Sequence, residues 1–144
     1  MTNGPPPSLV PELDVTDLDE SRMFYVDVLG FSVVYERPAE RFVYLARDRA
    51  EVMLEEAAGP GRRFRTASLG RPFGRGVNFQ LEVPDVDEIY ERVLAAGHEP
   101  VIALEEQWYA ADGDEAGNRQ FVVADPDGYL WRPFRDLGTR TRDS

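Results

Sequence analysis

The sequence predicts an α+β fold built from two βαβββ modules, whose curved mixed sheets surround a cleft. A short phrase occurs twice, as Val15-Thr16-Asp17-Leu18-Asp19-Glu20 and as Val83-Pro84-Asp85-Val86-Asp87-Glu88, 68 residues apart in a chain of 144. An offset near half the length marks a duplicated unit. Each copy follows a stretch of period two and precedes a stretch of helical period.

The elements follow in order. Leu9 to Val15 and Val77 to Val83 are non-polar at every odd position, the pattern of a strand covered on one face. After each phrase, Leu18, Ser21, Tyr25, Val28 and Leu29 in the first copy, and Val86, Ile89, Tyr90, Val93 and Leu94 in the second, fall on one side of a helix. Asp17 and Asp85 stand where a carboxylate caps the first turn, with Glu20 and Glu88 three residues on. Gly30 and Gly97 supply left-handed stops. The acidic pairs Asp17/Asp19 and Asp85/Asp87 are therefore read as caps and as partners of the helix dipole.

Three strands follow the first helix, at Phe31 to Glu36, Phe42 to Arg47 and Glu51 to Glu56. Three follow the second, at Val101 to Leu104, Arg119 to Ala124 and Tyr129 to Phe134, the last after the turn Asp125-Pro126-Asp127-Gly128. Glu105 to Asn118 reads as a long acidic loop carrying Trp108. The expected organisation is one domain over 1–144, made of module 9–58 and module 77–137 joined by loop 59–76, with tails at Met1 to Ser8 and Gly138 to Ser144.

Composition narrows the function. With 27 acidic against 16 basic residues the net charge is −11, which repels nucleic acid and favours cationic ligands, although an acidic surface also simply keeps a protein in solution. No apolar run approaches the ~20 residues of a membrane span. Met1 to Ser8 lacks the charged and apolar regions of a signal peptide, so a cytoplasmic location is expected. There is no Cys and one His, His98, placed directly after a helix stop. Nucleophilic catalysis finds no Cys, no Lys and no Gly-x-Ser-x-Gly turn.

The doubled module, with Phe24-Tyr25, Val28-Leu29-Gly30-Phe31 and Asp125-Pro126-Asp127-Gly128, resembles the vicinal oxygen chelate superfamily of glyoxalases, extradiol dioxygenases and bleomycin resistance proteins. Its metal-dependent members take ligands from the first strand of each module and from the last strand. The matching positions here hold Val10, Asn78 and Arg132. An aliphatic chain offers no lone pair, an amide is a poor ligand and a guanidinium repels a cation. The resemblance therefore implies a relative with no cofactor and no metal. Glu12, Asp14, Glu55 and Glu56 could hold a hard cation only without a defined spacing.

The likeness is most detailed to the bleomycin resistance proteins, through Leu9-Val10-Pro11-Glu12-Leu13, Glu36 to Phe42, Val52-Met53-Leu54-Glu55 and the ending Asp125 to Gly138. It implies a homodimer that binds a cationic glycopeptide of the bleomycin class stoichiometrically and confers antibiotic resistance by sequestration. It also implies that Tyr35, Phe42 and Trp108 are the rings that stack on the drug. Tyr35 and Phe42 are read equally well as core or dimer-interface residues. By strand phase, Val10, Glu12 and Asp14 face the cleft from the first module, and Asn78, Gln80 and Glu82 from the second. The expected ligand-binding set is Glu12, Tyr35, Phe42, Glu55, Asn78, Gln80, Trp108 and Arg132, with no catalytic residue. The alternative is an enzyme of the same fold, a lyase, isomerase or oxidoreductase using Glu12 or Glu55 or an atypical metal site. A third reading is a carrier for another aromatic or charged metabolite, in which Arg119 or Arg132 meets an anion.

Overall fold

A computed structural model describes residues 5 and 7–142. Most of the expected N-terminal tail, and residues 143–144, lie outside the described residues. The chain divides into two compact units, one comprising the residues up to Phe73 together with 126–128, the other 74–125 and the residues from Tyr129 onward.

In the first unit β1 (Glu12–Val15) leads into α1 (Leu18–Met23), which continues as a π-helical turn (Phe24–Val28). Then come β2 (Ser32–Arg37), β3 (Phe42–Arg47) and β4 (Ala50–Glu56). The sheet order is β1-β4-β3-β2, with β1 parallel to β4 and the other pairs antiparallel. One sheet face is apolar. Leu13, Val15, Val43, Leu45, Val52 and Leu54 are buried, as are the helical residues Leu18, Phe24, Tyr25, Val28 and Leu29. Burying each such side chain is worth about 1.5–3 kcal/mol, so this face holds the unit together. Asp17 caps α1 as expected, its Oδ1 accepting from the N–H groups of Asp19 (3.0 Å) and Glu20 (3.2 Å).

The second unit repeats the plan with β5 (Asn78–Glu82), α2 (Val86–Ala95), β6 (Ile102–Ala111), β7 (Asp114–Ala124) and β8 (Leu130–Thr141). Its order, β5-β8-β7-β6, has β5 parallel to β8. Asp85 caps α2 by accepting from Glu88 N–H at 3.1 Å. Gly30 and Gly97, both at φ 83°, end the two helical segments in the left-handed region. Trp131 is buried, its ring 4.9 Å from that of Phe79.

Four expectations need correction. The span Glu105 to Asn118 is a β-hairpin between β6 and β7, turning at Asp112 and Gly113, both with positive φ (47° and 88°). The segment expected as a tail from Gly138 continues β8 to Thr141, because β7 extends alongside it and supplies partners as far as Asp114. Leu9 is 81% exposed, since β1 begins only at Glu12, so the alternating pattern overran the strand. Leu94 is also exposed, leaving Val86, Ile89 and Val93 as the buried stripe of α2.

Candidate ligand-binding faces

The sheet face of the first unit opposite the apolar one carries polar and aromatic groups. Strand register puts Glu12 beside Met53, Asp14 beside Glu55, Phe42 beside Glu55, Tyr44 beside Met53 and Tyr35 beside Tyr44. Residues paired across neighbouring strands share a face, so Glu12, Asp14, Tyr35, Phe42, Tyr44 and Glu55 all project from one side. Of the expected site residues, the structure therefore brings together Glu12, Tyr35, Phe42 and Glu55.

The rings form a group. Tyr35 and Tyr44 stack with centroids 5.1 Å apart, and Tyr35 lies 6.0 Å from Phe42. The Arg37 guanidinium sits 4.7 Å from the Phe42 centroid and 5.5 Å from that of Tyr35. Phe42 is buried whereas Tyr35 is 44% exposed, so Tyr35 presents the accessible surface. Tyr44 Oη donates to Glu51 Oε1 at 2.6 Å, and this bond, with burial behind it, pushes the phenol up to about 12. Tyr44 is thus a fixed neutral ring at physiological pH.

Beside the rings stand three carboxyl groups. Glu55 is buried, and Glu12, an exposed residue at the start of β1, is hydrogen-bonded to it; partial desolvation of its carboxyl first and that bond second raise Glu12 above the ordinary carboxylate range. The loop after β4 answers them with two arginines. Arg63 pairs with Glu55, and its Nε lies 3.0 Å from Asp14 Oδ1. Arg65 grips Asp14 with two hydrogen bonds, at 3.0 and 3.1 Å. Gly61 passes directly over Glu55, where a Cβ would come within 1.7 Å of Oε1. A side chain at that crossing would force the Glu55 and Arg63 side chains to shift. Sequence reasoning missed Arg63 and Arg65, because nothing local in a Gly- and Arg-rich loop tells which carboxylate each arginine will meet.

The second unit offers a different face. Asn78, Gln80 and Arg132 share it by register, Gln80 lying opposite Arg132, and both Asn78 and Gln80 are exposed. Tyr109 belongs to the same face, since its Oη receives hydrogen bonds from Gln120 Nε2 (2.6 Å) and Arg132 Nη1 (3.4 Å). Trp108 points the other way, to the side where Arg119 meets α2. Its ring lies over Gly117, and Arg140 stacks on it at 4.0 Å. Arg119 is engaged too. It pairs with Asp87 at 2.7 Å, which holds that carboxyl below its usual range, and lies 3.6 Å from Glu106.

The model of the Glyoxalase/Bleomycin resistance protein/Dioxygenase superfamily matches residues 11–132. The chain belongs to this superfamily. It is 31% identical over 135 residues to bleomycin resistance proteins of Geobacillus stearothermophilus and Staphylococcus aureus, covering 89% of this chain and 96% of theirs. Among solved structures, TioX from Micromonospora sp. ML1 is similar at 30% identity and a TM-score of 0.66, with 90% of this chain and 98% of that one covered. Lactoylglutathione lyase from Agrobacterium tumefaciens, at 22% identity and a TM-score of 0.58 over 92% of this chain and 96% of its own, shares the fold.

The superfamily's metal does not fit these residues. Val10, Asn78 and Arg132 stand where the resemblance puts ligands, and the Arg132 guanidinium, hydrogen-bonded to Tyr109 Oη, carries positive charge into that position. Among the described residues no group of three His, Cys, Asp or Glu side chains is arranged to hold a metal ion. No helix among them is long and apolar enough to cross a membrane.

Proposed function

We propose that this chain is a metal-free, dimeric, cytoplasmic binding protein that sequesters a cationic, aromatic antibiotic of the bleomycin class. The observation that carries the reading is the first unit's polar face, where the accessible Tyr35 ring stands on the same side of one sheet as Glu12, Asp14 and Glu55. Flat rings give contact area at little entropic cost, and although Arg63 and Arg65 meet Asp14 and Glu55, three carboxyl groups against two guanidinium groups leave a formal negative charge that favours a cation. The likeness to bleomycin resistance proteins over most of both chains supports the same ligand class. Within the proposal, Glu12, Tyr35, Phe42 and Glu55 are the ligand-binding residues of the first unit's face, and Asn78, Gln80 and Arg132 those of the second unit's face. The test is protection of DNA from bleomycin cleavage at increasing protein-to-drug ratio, with the drug then recovered for mass spectrometry. Protection that saturates near one drug per chain, with the drug mass unchanged, is expected; a changed mass, or protection at catalytic protein concentrations, would replace sequestration by enzymatic modification.

One observation favours a second reading. Glu12, raised by partial desolvation and by its bond to Glu55, is the kind of carboxyl that serves as a general acid or base. That enzyme would lose turnover in Glu12→Gln while still binding its substrate.

A further inference from the structure

The second unit holds a polar network that its own residues leave unfinished. Tyr109 Oη accepts two hydrogen bonds, from Gln120 and from Arg132, so both its lone pairs are engaged and its hydrogen must point elsewhere. No acceptor among the described residues takes it. Among the described residues Arg132 makes no ion pair, although Arg119 and Arg140 in the same unit each pair with a carboxylate. Gln120 is 4% exposed, and its Oε1 is buried without a partner, as is Arg132 Nε. Buried polar atoms without partners are costly, and native structures keep few of them.

Gln120 Oε1 is an acceptor and needs a donor, whereas Arg132 Nε, the Tyr109 hydroxyl hydrogen and the guanidinium charge need an acceptor, and these donors are the larger surplus. A phenol hydrogen and a guanidinium, joined through one oxygen, present donors and a full positive charge on one face of one sheet. Gln120, fixed by burial, holds the phenol in place through a 2.6 Å bond. On that face Asn78 and Gln80 add neutral amides beside Arg132, while the carboxylates of Glu82 and Glu105, opposite Phe134 and Gln120, form no ion pair with it among the described residues. A planar anion accepts from a guanidinium and from a neighbouring hydroxyl together, and a charge-assisted bond of this kind is stronger than a neutral one. We propose that Arg132 and Tyr109, positioned by Gln120, form a binding site for a small organic carboxylate. This goes beyond sequestration of a cationic drug, because it adds an anion subsite on a chain whose net charge would otherwise repel anions.

The test is a titration of the full chain with phenylacetate, and with neutral phenylacetamide as its uncharged counterpart, followed by amide NMR shifts. Saturable phenylacetate binding with shifts centred on Tyr109, Gln120 and Arg132 is expected, at least tenfold tighter than the amide. Arg132→Met should abolish it, and Tyr109→Phe should weaken it several-fold. Arg135→Met, which removes an exposed charge on the same strand, should leave it unchanged. Melting curves establish that the variants are folded, and Arg132→Gln serves if the methionine variant is not. No saturable binding by the wild type, or equal losses in Arg132→Met and Arg135→Met, would overturn the proposal. Either result leaves the bleomycin titration, which reads the first unit through Tyr35, standing or falling separately.

Discussion

Asp127 Oδ2 accepts a hydrogen bond from Thr16 N–H at 2.9 Å, across 111 residues of chain. Asp127 is buried, and its other oxygen receives Arg71 Nη2 at 3.1 Å, while Phe73 N–H donates to its carbonyl at 2.8 Å. Residues 126–128 are thereby part of the first unit, although the strand they introduce, β8, lies in the second. Within the same tetrapeptide Asp125 serves the other unit, its Oδ1 accepting from Tyr129 N–H at 2.9 Å. A turn that looks like a simple reversal is thus a tie within each unit.

Asp127→Ala should destabilise the protein by about 2 kcal/mol, the cost of leaving the part-buried Thr16 N–H and the site around it without a partner. Arg71 adds little, since it is largely exposed. Urea unfolding curves check this, and Arg71→Ala should shift the midpoint far less than Asp127→Ala.

Stability should respond to pH through Glu12. Its folded pKa is raised, chiefly by partial desolvation and then by Glu55, so the folded state holds that proton more tightly than the unfolded chain does. Its contribution is fully present below the unfolded carboxylate pKa and is lost as pH rises through the raised value. Glu12→Gln should therefore be more stable than wild type at neutral pH, the advantage vanishing in acid. Glu56, lowered by Arg41 and by Leu18 N–H, and Asp87, lowered by Arg119, act with the opposite sign. Their contributions are present above the unfolded pKa and are lost as pH falls through their lowered values. Melting temperatures of wild type and Glu12→Gln across pH 3–8 read both effects; parallel curves would remove Glu12 from the balance.

The hairpin should be sensitive to Gly117. A Cβ there would stand 2.6 Å from the Trp108 ring, which Arg140 also stacks upon, so the indole has to move. Gly117→Ala should cost about 1–3 kcal/mol, as overpacking does, and should change Trp108 fluorescence.

Much of the fold was legible because duplication repeats every local signal. The two caps, Asp17 and Asp85, and the two stops, Gly30 and Gly97, are short-range devices that act where the sequence shows them. The hairpin was not legible from periodicity, since β6 is mostly exposed and its Glu105-Glu106-Gln107 has no apolar face to alternate with. Its signal was Asp112-Gly113, the two-residue turn favoured where both residues take positive φ. The first unit's face was half legible: alternation placed Glu12 and Asp14, but Arg63 and Arg65 reach them from a loop with no period. In the second unit, Tyr109 takes the side of the strand facing Arg132, a consequence of register that a reading of 105–118 as a loop could not contain.

Tyr35→Ala should reveal whether the exposed ring binds ligand. At 44% exposure it contributes little to the core, so the melting temperature should fall only slightly. Loss of a stacking surface is worth about 0.5–1.5 kcal/mol, so affinity for an aromatic ligand should fall up to about tenfold. Trp108→Ala, on the opposite side of the other unit's sheet from Arg132, should leave affinity for that ligand nearly unchanged.

The most direct measurement is a calorimetric titration of chelator-treated protein with metal-free and copper-loaded bleomycin, repeated with Tyr35→Ala. Saturable binding near one drug per chain, weakened in the variant, is the predicted result. Absence of heat and of binding at high drug concentration would contradict the sequestration of a bleomycin-class ligand.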